Sequence, residues 1–185
     1  MTRHPWRALQ PLTRRRLLMR TGAIFVALTI AMTRMGAPLK TETSPLGIVS
    51  FELAGTPDRA QRLLGEWSPA QKEIAAKNIR LDYTYIVVYA LAFSLACAAV
   101  ADAAGDRRVV LQRAAALASW GALVAAILDV IENLAMMSEL GAGASGAAPG
   151  VAFAAASLKF LLLGAAVAVL LTGGVRYWQS RSDGQ

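Results

Sequence analysis

A chain of 185 residues is long enough for one compact unit and short for two. With 56% apolar and 17% charged residues it falls outside ordinary soluble domains, which carry about 25% charged residues. The formal charge of +7 would suggest a nucleic-acid partner in a soluble protein, but here the arginines form short clusters beside apolar runs with no stacking aromatics between them, so no nucleic acid is expected. Cys97 is the only cysteine and His4 the only histidine, which leaves no disulfide, thiol pair, zinc set or Ser-His-Asp triad; no metal and no cofactor is expected.

In chain order, residues 1–16 form a basic segment, with His4 near an end expected to be mobile. The apolar run over 17–38 is long enough to cross the ~30 Å hydrocarbon layer of a bilayer as a helix, although Arg20 and Arg34 interrupt it. Thr13-Arg14-Arg15-Arg16-Leu17-Leu18 resembles a twin-arginine export signal, but no Ala-x-Ala cleavage site follows, and an uncleaved first helix is the better reading. The loop over 39–78 carries helix signals of its own. Ser44-Pro45, Thr56-Pro57 and Ser68-Pro69 each place a capping side chain before a proline at the first helical position. Between Pro57 and Trp67, apolar Ala60, Leu63, Leu64 and Trp67 recur at helical spacing, while Asp58, Arg59, Arg62 and Glu66 take the other side. This predicts an amphipathic helix over 57–67 that either lies on the outer leaflet or caps the spans, with Trp67 at the membrane interface.

The helix begun at Pro69 meets no breaker before Gly105 and is expected to run straight into a second span over 79–104. Third and fourth spans are expected over 114–140 and 151–174, joined by a small-residue loop with nothing to order it, and 175–185 is a tail. Within that loop Gly143-Ala144-Ser145-Gly146 lacks the closing glycine of a nucleophile elbow. The fold class is therefore all-α: a polytopic membrane protein, a four transmembrane helix bundle with a largely helical extracytoplasmic loop.

Arginine placement gives the direction. Arg3, Arg7, Arg14, Arg15, Arg16 and Arg20 lie at the N-terminal end, Arg107, Arg108 and Arg113 between the second and third spans, and Arg176 and Arg181 in the tail. Only Asp102, Asp106 and Asp183 oppose them. The long first loop is balanced: Lys40, Arg59, Arg62, Lys72, Lys77 and Arg80 against Glu42, Glu52, Asp58, Glu66, Glu73 and Asp82. Cytoplasmic loops are enriched in Lys and Arg, so both chain ends are expected in the cytoplasm.

Arg34, Asp82, Asp129, Glu132 and Lys159 sit in or at the outer ends of apolar spans, where each costs roughly 2.5–3.5 kcal/mol at a helix centre and is expected to find a partner. From helical rise, Asp129 and Lys159 lie about 6 Å outward of the span midpoints, Glu132 and Arg34 about 10 Å, and Asp82 about 15 Å, with Tyr89 and Tyr85 at about 5 and 10 Å. Azimuth puts these groups on alanine-rich faces that suit helix contact: Asp129 follows Ala118, Ala122 and Ala125, flanked by Glu132 and Asn133. Alanine supplies 37 positions, so part of that alignment is chance. Together Arg34, Asp82, Tyr85, Tyr89, Asp129, Glu132, Asn133 and Lys159 are read as one polar cluster, with Lys159 paired to Asp129 or Glu132.

Three uses of such a cluster stay open: an ion-pair network that fixes helix order, a site for a small polar ligand, cation or lipid headgroup, and a relay of protons or ions. Asp129 and Glu132 could in principle serve as acid and base, but they stand one helical turn apart with no nucleophile or metal set, so no catalytic residue is assigned. The expected partners are the lipid bilayer, a lipid or small polar ligand, and a second copy or another membrane protein. Phe51-Glu52-Leu53-Ala54-Gly55-Thr56, Leu81-Asp82-Tyr83 with Tyr89, Asp129-Val130-Ile131-Glu132-Asn133-Leu134 and Lys159-Phe160 resemble landmarks of small bacterial four-helix integral membrane proteins, over roughly residues 48–165. The Asp-x-x-Glu-Asn string is the specific part. The resemblance implies a four-helix membrane fold in a bacterial inner membrane and carries no activity.

Overall fold

The computed structural model describes residues 3–105 and 108–182, and side-chain surroundings as far as residue 174. Asp106, Arg107 and Asp183, used above for orientation, lie outside the described residues, as do the side chains of Arg176 and Arg181. Among the described residues there is no strand. The helices are α1 (Pro11–Gly36), α2 (Ile48–Glu52), α3 (Pro57–Glu66), α4 (Pro69–Ala104), α5 (Val109–Ala142) and α6 (Ala148–Ser182). Of these α1, α4, α5 and α6 are long and apolar enough to cross a membrane.

The helix boundaries follow from local chemistry. Thr56 accepts the Arg59 backbone N–H, and Pro57 opens α3 with its fixed φ and missing donor. At α4 the Ser68 hydroxyl accepts from the Gln71 backbone N–H at 3.3 Å while Gln71 Oε1 accepts from the Ser68 N–H at 2.9 Å, a reciprocal capping box. From there α4 continues unbroken for 36 residues, about 54 Å at helical rise.

The chain packs as two units. One gathers residues 24–87 and 126–159. Its core joins Leu39, Phe51, Leu63, Leu64 and Trp67 to Ala75 and Ile79 of α4, Met136 of α5 and Ala152 of α6. The apolar side of α3 is thus spent on protein. Trp67, expected at a membrane interface, is 2% exposed, donates its ring N–H to the Leu39 carbonyl at 3.1 Å and meets the Phe51 ring edge-on. Periodicity reports that a face is apolar, not whether lipid or protein covers it. Thr41 and Thr43 both donate to Glu66 at 2.7 Å, holding its carboxyl below the usual range and closing the loop over 41–66. The segment after α5, expected to lack order, is pinned: Gln61 of α3 donates to the Ala144 carbonyl at 2.8 Å and Ala144 is fully buried. The absence of large side chains there permits this close approach.

The other unit gathers residues up to 23, 88–125 and those from 160 onward. It packs on small residues: Cys97 with Ala118 and Ala166, and Ala101 with Ala115 and Ala116. Ser94 of α4 and Ser119 of α5 each donate to the other's backbone carbonyl at 2.7 Å. Gly173 of α6 lies so close to α4 that a Cβ on it would stand 2.8 Å from Val100 Cγ1. Gly173→Ala is therefore expected to destabilise by about 1–3 kcal/mol through overpacking. Gly164→Ala, with open space around it, should leave the thermal unfolding midpoint unchanged or raised.

Candidate functional site

The Asp129-x-x-Glu132 spacing puts two carboxyls one turn apart on the same side of α5. Facing them is Lys159, eleven residues into α6, whose Nζ lies 2.9 Å from Asp129 Oδ1 and 2.7 Å from Glu132 Oε2. A third carboxyl comes from the loop. Glu52, the last residue of α2, places its Oε2 3.7 Å from the same ammonium. All four groups belong to one unit; Lys159 is 6% exposed, Asp129 4% and Glu132 1%, while Glu52 is partly buried with its side chain 12% exposed.

Beside them on α5, buried Asn133 donates to Asp82 Oδ2 of α4 at 2.7 Å. Tyr85, one turn along α4 from Asp82, shares a hydrogen bond with Thr29 of α1 at 3.1 Å and stacks on Phe25. The site thus draws on α1, α2, α4, α5 and α6 within a single unit.

Most of the expected cluster is brought together, with two differences. Arg34 is exposed on α1 and forms no ion pair with a described residue. Its alanine-lined face did not fix its direction, because alanine is common on every side of these helices. Tyr89 is buried. Glu52 is the member that sequence reasoning missed: depth along a span can be counted from helical rise, whereas a loop residue has no such ruler.

The electrostatics are lopsided. One ammonium faces three carboxyls, an excess of two negative charges if all are ionised, and Asp82 adds another nearby. Glu52 Oε2 is buried and receives no hydrogen bond. Burial pushes the Glu52 carboxyl above the ordinary carboxylate range; Lys159 pulls it back and Asp129 pushes it further up. The Lys159 ammonium already occupies the position among the carboxyls that a metal ion would take. No described group of three or more His, Cys, Asp and Glu residues has the arrangement to hold a metal.

A second constellation, absent from the sequence reading, lies in the other unit. His4, far from loose, is 6% exposed, accepts the Trp6 backbone N–H at Nδ1 and contacts Asp102 of α4 through Nε2 at 3.0 Å. The Arg14 guanidinium also reaches His4 Nε2, at 3.4 Å. Arg14 pairs with the same Asp102, and the Trp6 indole donates to Ser94 at 2.8 Å. Only the presence of Asp102 in an otherwise arginine-rich region hinted at it.

Fold and site together define an all-helical protein with four helices apolar enough to cross a bilayer and an ion cluster buried among them. Family models, curated proteins and solved structures offer no match to this chain, so its function is argued from the site alone.

Proposed function

We propose that the chain is a non-catalytic, multi-pass protein of a bacterial inner membrane, with both ends in the cytoplasm, whose lysine–carboxylate cluster binds exchangeable protons beneath the 39–78 loop. The apolar length of four helices and the bias of arginines support that placement. The observation that carries the proton reading is the ratio of charges: one ammonium to three carboxyls in a site almost closed to water.

Fixing one helix beside another needs a single acid per base. Two carboxylates about 4 Å apart repel by roughly 4 kcal/mol at an effective dielectric near 20, and burial adds several kcal/mol per unpaired ion. Protons remove that energy. An anionic ligand or lipid headgroup is disfavoured here, because the one buried cation is already surrounded by carboxyls.

The pH dependence has a definite sign. Glu52 binds its proton more tightly in the folded chain than at the ordinary value of 4.5. Its contribution to stability is therefore full below that value and is lost as the pH rises through the raised one. Thermal stability of the purified protein should fall as the pH rises from that point, and Glu52→Gln should flatten the dependence. Infrared spectra near neutral pH should contain a protonated-carboxyl C=O band that Glu52→Gln weakens. Identical spectra and identical pH profiles for both proteins would make the cluster a scaffold instead. Proton flux in vesicles under an imposed pH gradient would turn the store into a conductor.

A further inference from the structure

Where α5 begins, two apolar grooves converge on one arginine. The larger, about 610 Å³, runs between α5 and α6 past Val110, Ala114, Ala168 and Thr172. The smaller, about 360 Å³, runs between α4 and α6 past Ala99, Ala103 and Leu170. Arg108 and Leu111 line both.

We propose that these grooves seat the two acyl chains of one anionic diacyl phospholipid, whose phosphate meets Arg108. The inference rests on the membrane placement given above. Two apolar channels that share one cation among the described residues match a molecule in which two hydrocarbon chains meet near a single phosphate. Both channels lie within one of the two units, so the seat belongs to one packed body. Arg108 immediately precedes α5, whose first backbone N–H groups have no partner within the helix and whose first turn carries no acid. The nearby acid on α4, Asp102, is already engaged by His4 and Arg14 and does not compete for Arg108. A basic side chain at the mouth of an interhelical groove on the cytoplasmic side is the arrangement that selects anionic headgroups over zwitterionic ones. Apart from Arg108 and Thr172 the linings are apolar, which suits hydrocarbon chains.

The test uses the full chain in detergent, presented with equal amounts of phosphatidylglycerol and phosphatidylethanolamine and examined by native mass spectrometry. The wild type is expected to retain the anionic lipid about five-fold over the zwitterionic one, the factor that one arginine near a phosphate supplies. Arg108→Gln should abolish the preference while leaving helicity and the unfolding midpoint intact. Ala168→Phe, which fills the larger groove, should lower retention of both lipids with Arg108 still present. Glycerol 3-phosphate, lacking chains, should not be retained. Equal retention of both lipids by the wild type, an undiminished preference in Arg108→Gln, or retention of glycerol 3-phosphate would overturn the proposal. Flotation with liposomes separates the two levels. A chain that fails to float contradicts the membrane placement itself, whereas one that floats without headgroup preference contradicts only the lipid seat.

Discussion

Lys159→Met is expected to destabilise the protein by about 3–5 kcal/mol, because it strips a buried set of carboxyls of its counter-charge. Methionine preserves most of the aliphatic stem, so little of the loss comes from a cavity. The charge is what goes: the contacts at 2.9 Å to Asp129, 2.7 Å to Glu132 and 3.7 Å to Glu52 all end on the same ammonium. The loss should shrink as the pH falls, since protons then replace the missing cation. Adding Asp129→Asn should restore part of the stability, and adding Glu132→Gln most of it. Thermal unfolding of the three variants across pH measures this. A Lys159→Met protein with wild-type stability at alkaline pH would show that the carboxyls never carried the excess charge.

Trp67→Ala is expected to cost about 3–5 kcal/mol, the range for deleting a large buried aromatic. Its indole fills the space between α3 and the chain at Leu39, packs against Phe51 and satisfies the Leu39 carbonyl. Losing it removes core volume and leaves that carbonyl with only the Ser44 hydroxyl. The damage should be local in character. Hydrogen exchange should accelerate across α2 and α3 while the amides of α5 stay protected. Because Glu52 ends α2, the same variant should weaken the pH dependence of stability. An unchanged exchange pattern would mean that α2 and α3 are held by something other than this core.

The parts of this architecture written in local chemistry were legible without coordinates. Thr56-Pro57 and Ser68-Pro69 announce the starts of α3 and α4 because a capping side chain and a proline act within one turn. The pairing of Lys159 with Asp129 or Glu132 was legible for a different reason: charged groups in apolar runs have few partners, and helical rise gives their depth. What escaped depended on where nonadjacent segments meet. Glu52 reaches Lys159 because α2 folds back after Gly47 and before Gly55, both at positive φ, a route that no periodicity encodes. Trp67 and Ala144 were misjudged for the same reason, each covered by chain distant in sequence. Arg34 shows the converse, a residue with suitable depth whose neighbours on the helix did not decide which way it points.

The short connection between α5 and α6 bears on how the protein is made. Asp129 and Glu132 are synthesised before Lys159, and on the membrane reading α5 entering lipid alone would carry two uncompensated acids. Only residues 143–147 separate the two helices. Translation covers the stretch from Glu132 to Lys159 in roughly 1–5 s. The two segments would thus enter the bilayer as a hairpin, with Lys159 already paired across its arms. Lengthening this link should slow membrane integration while sparing the finished fold, which would make the turn an element of biogenesis as much as of architecture.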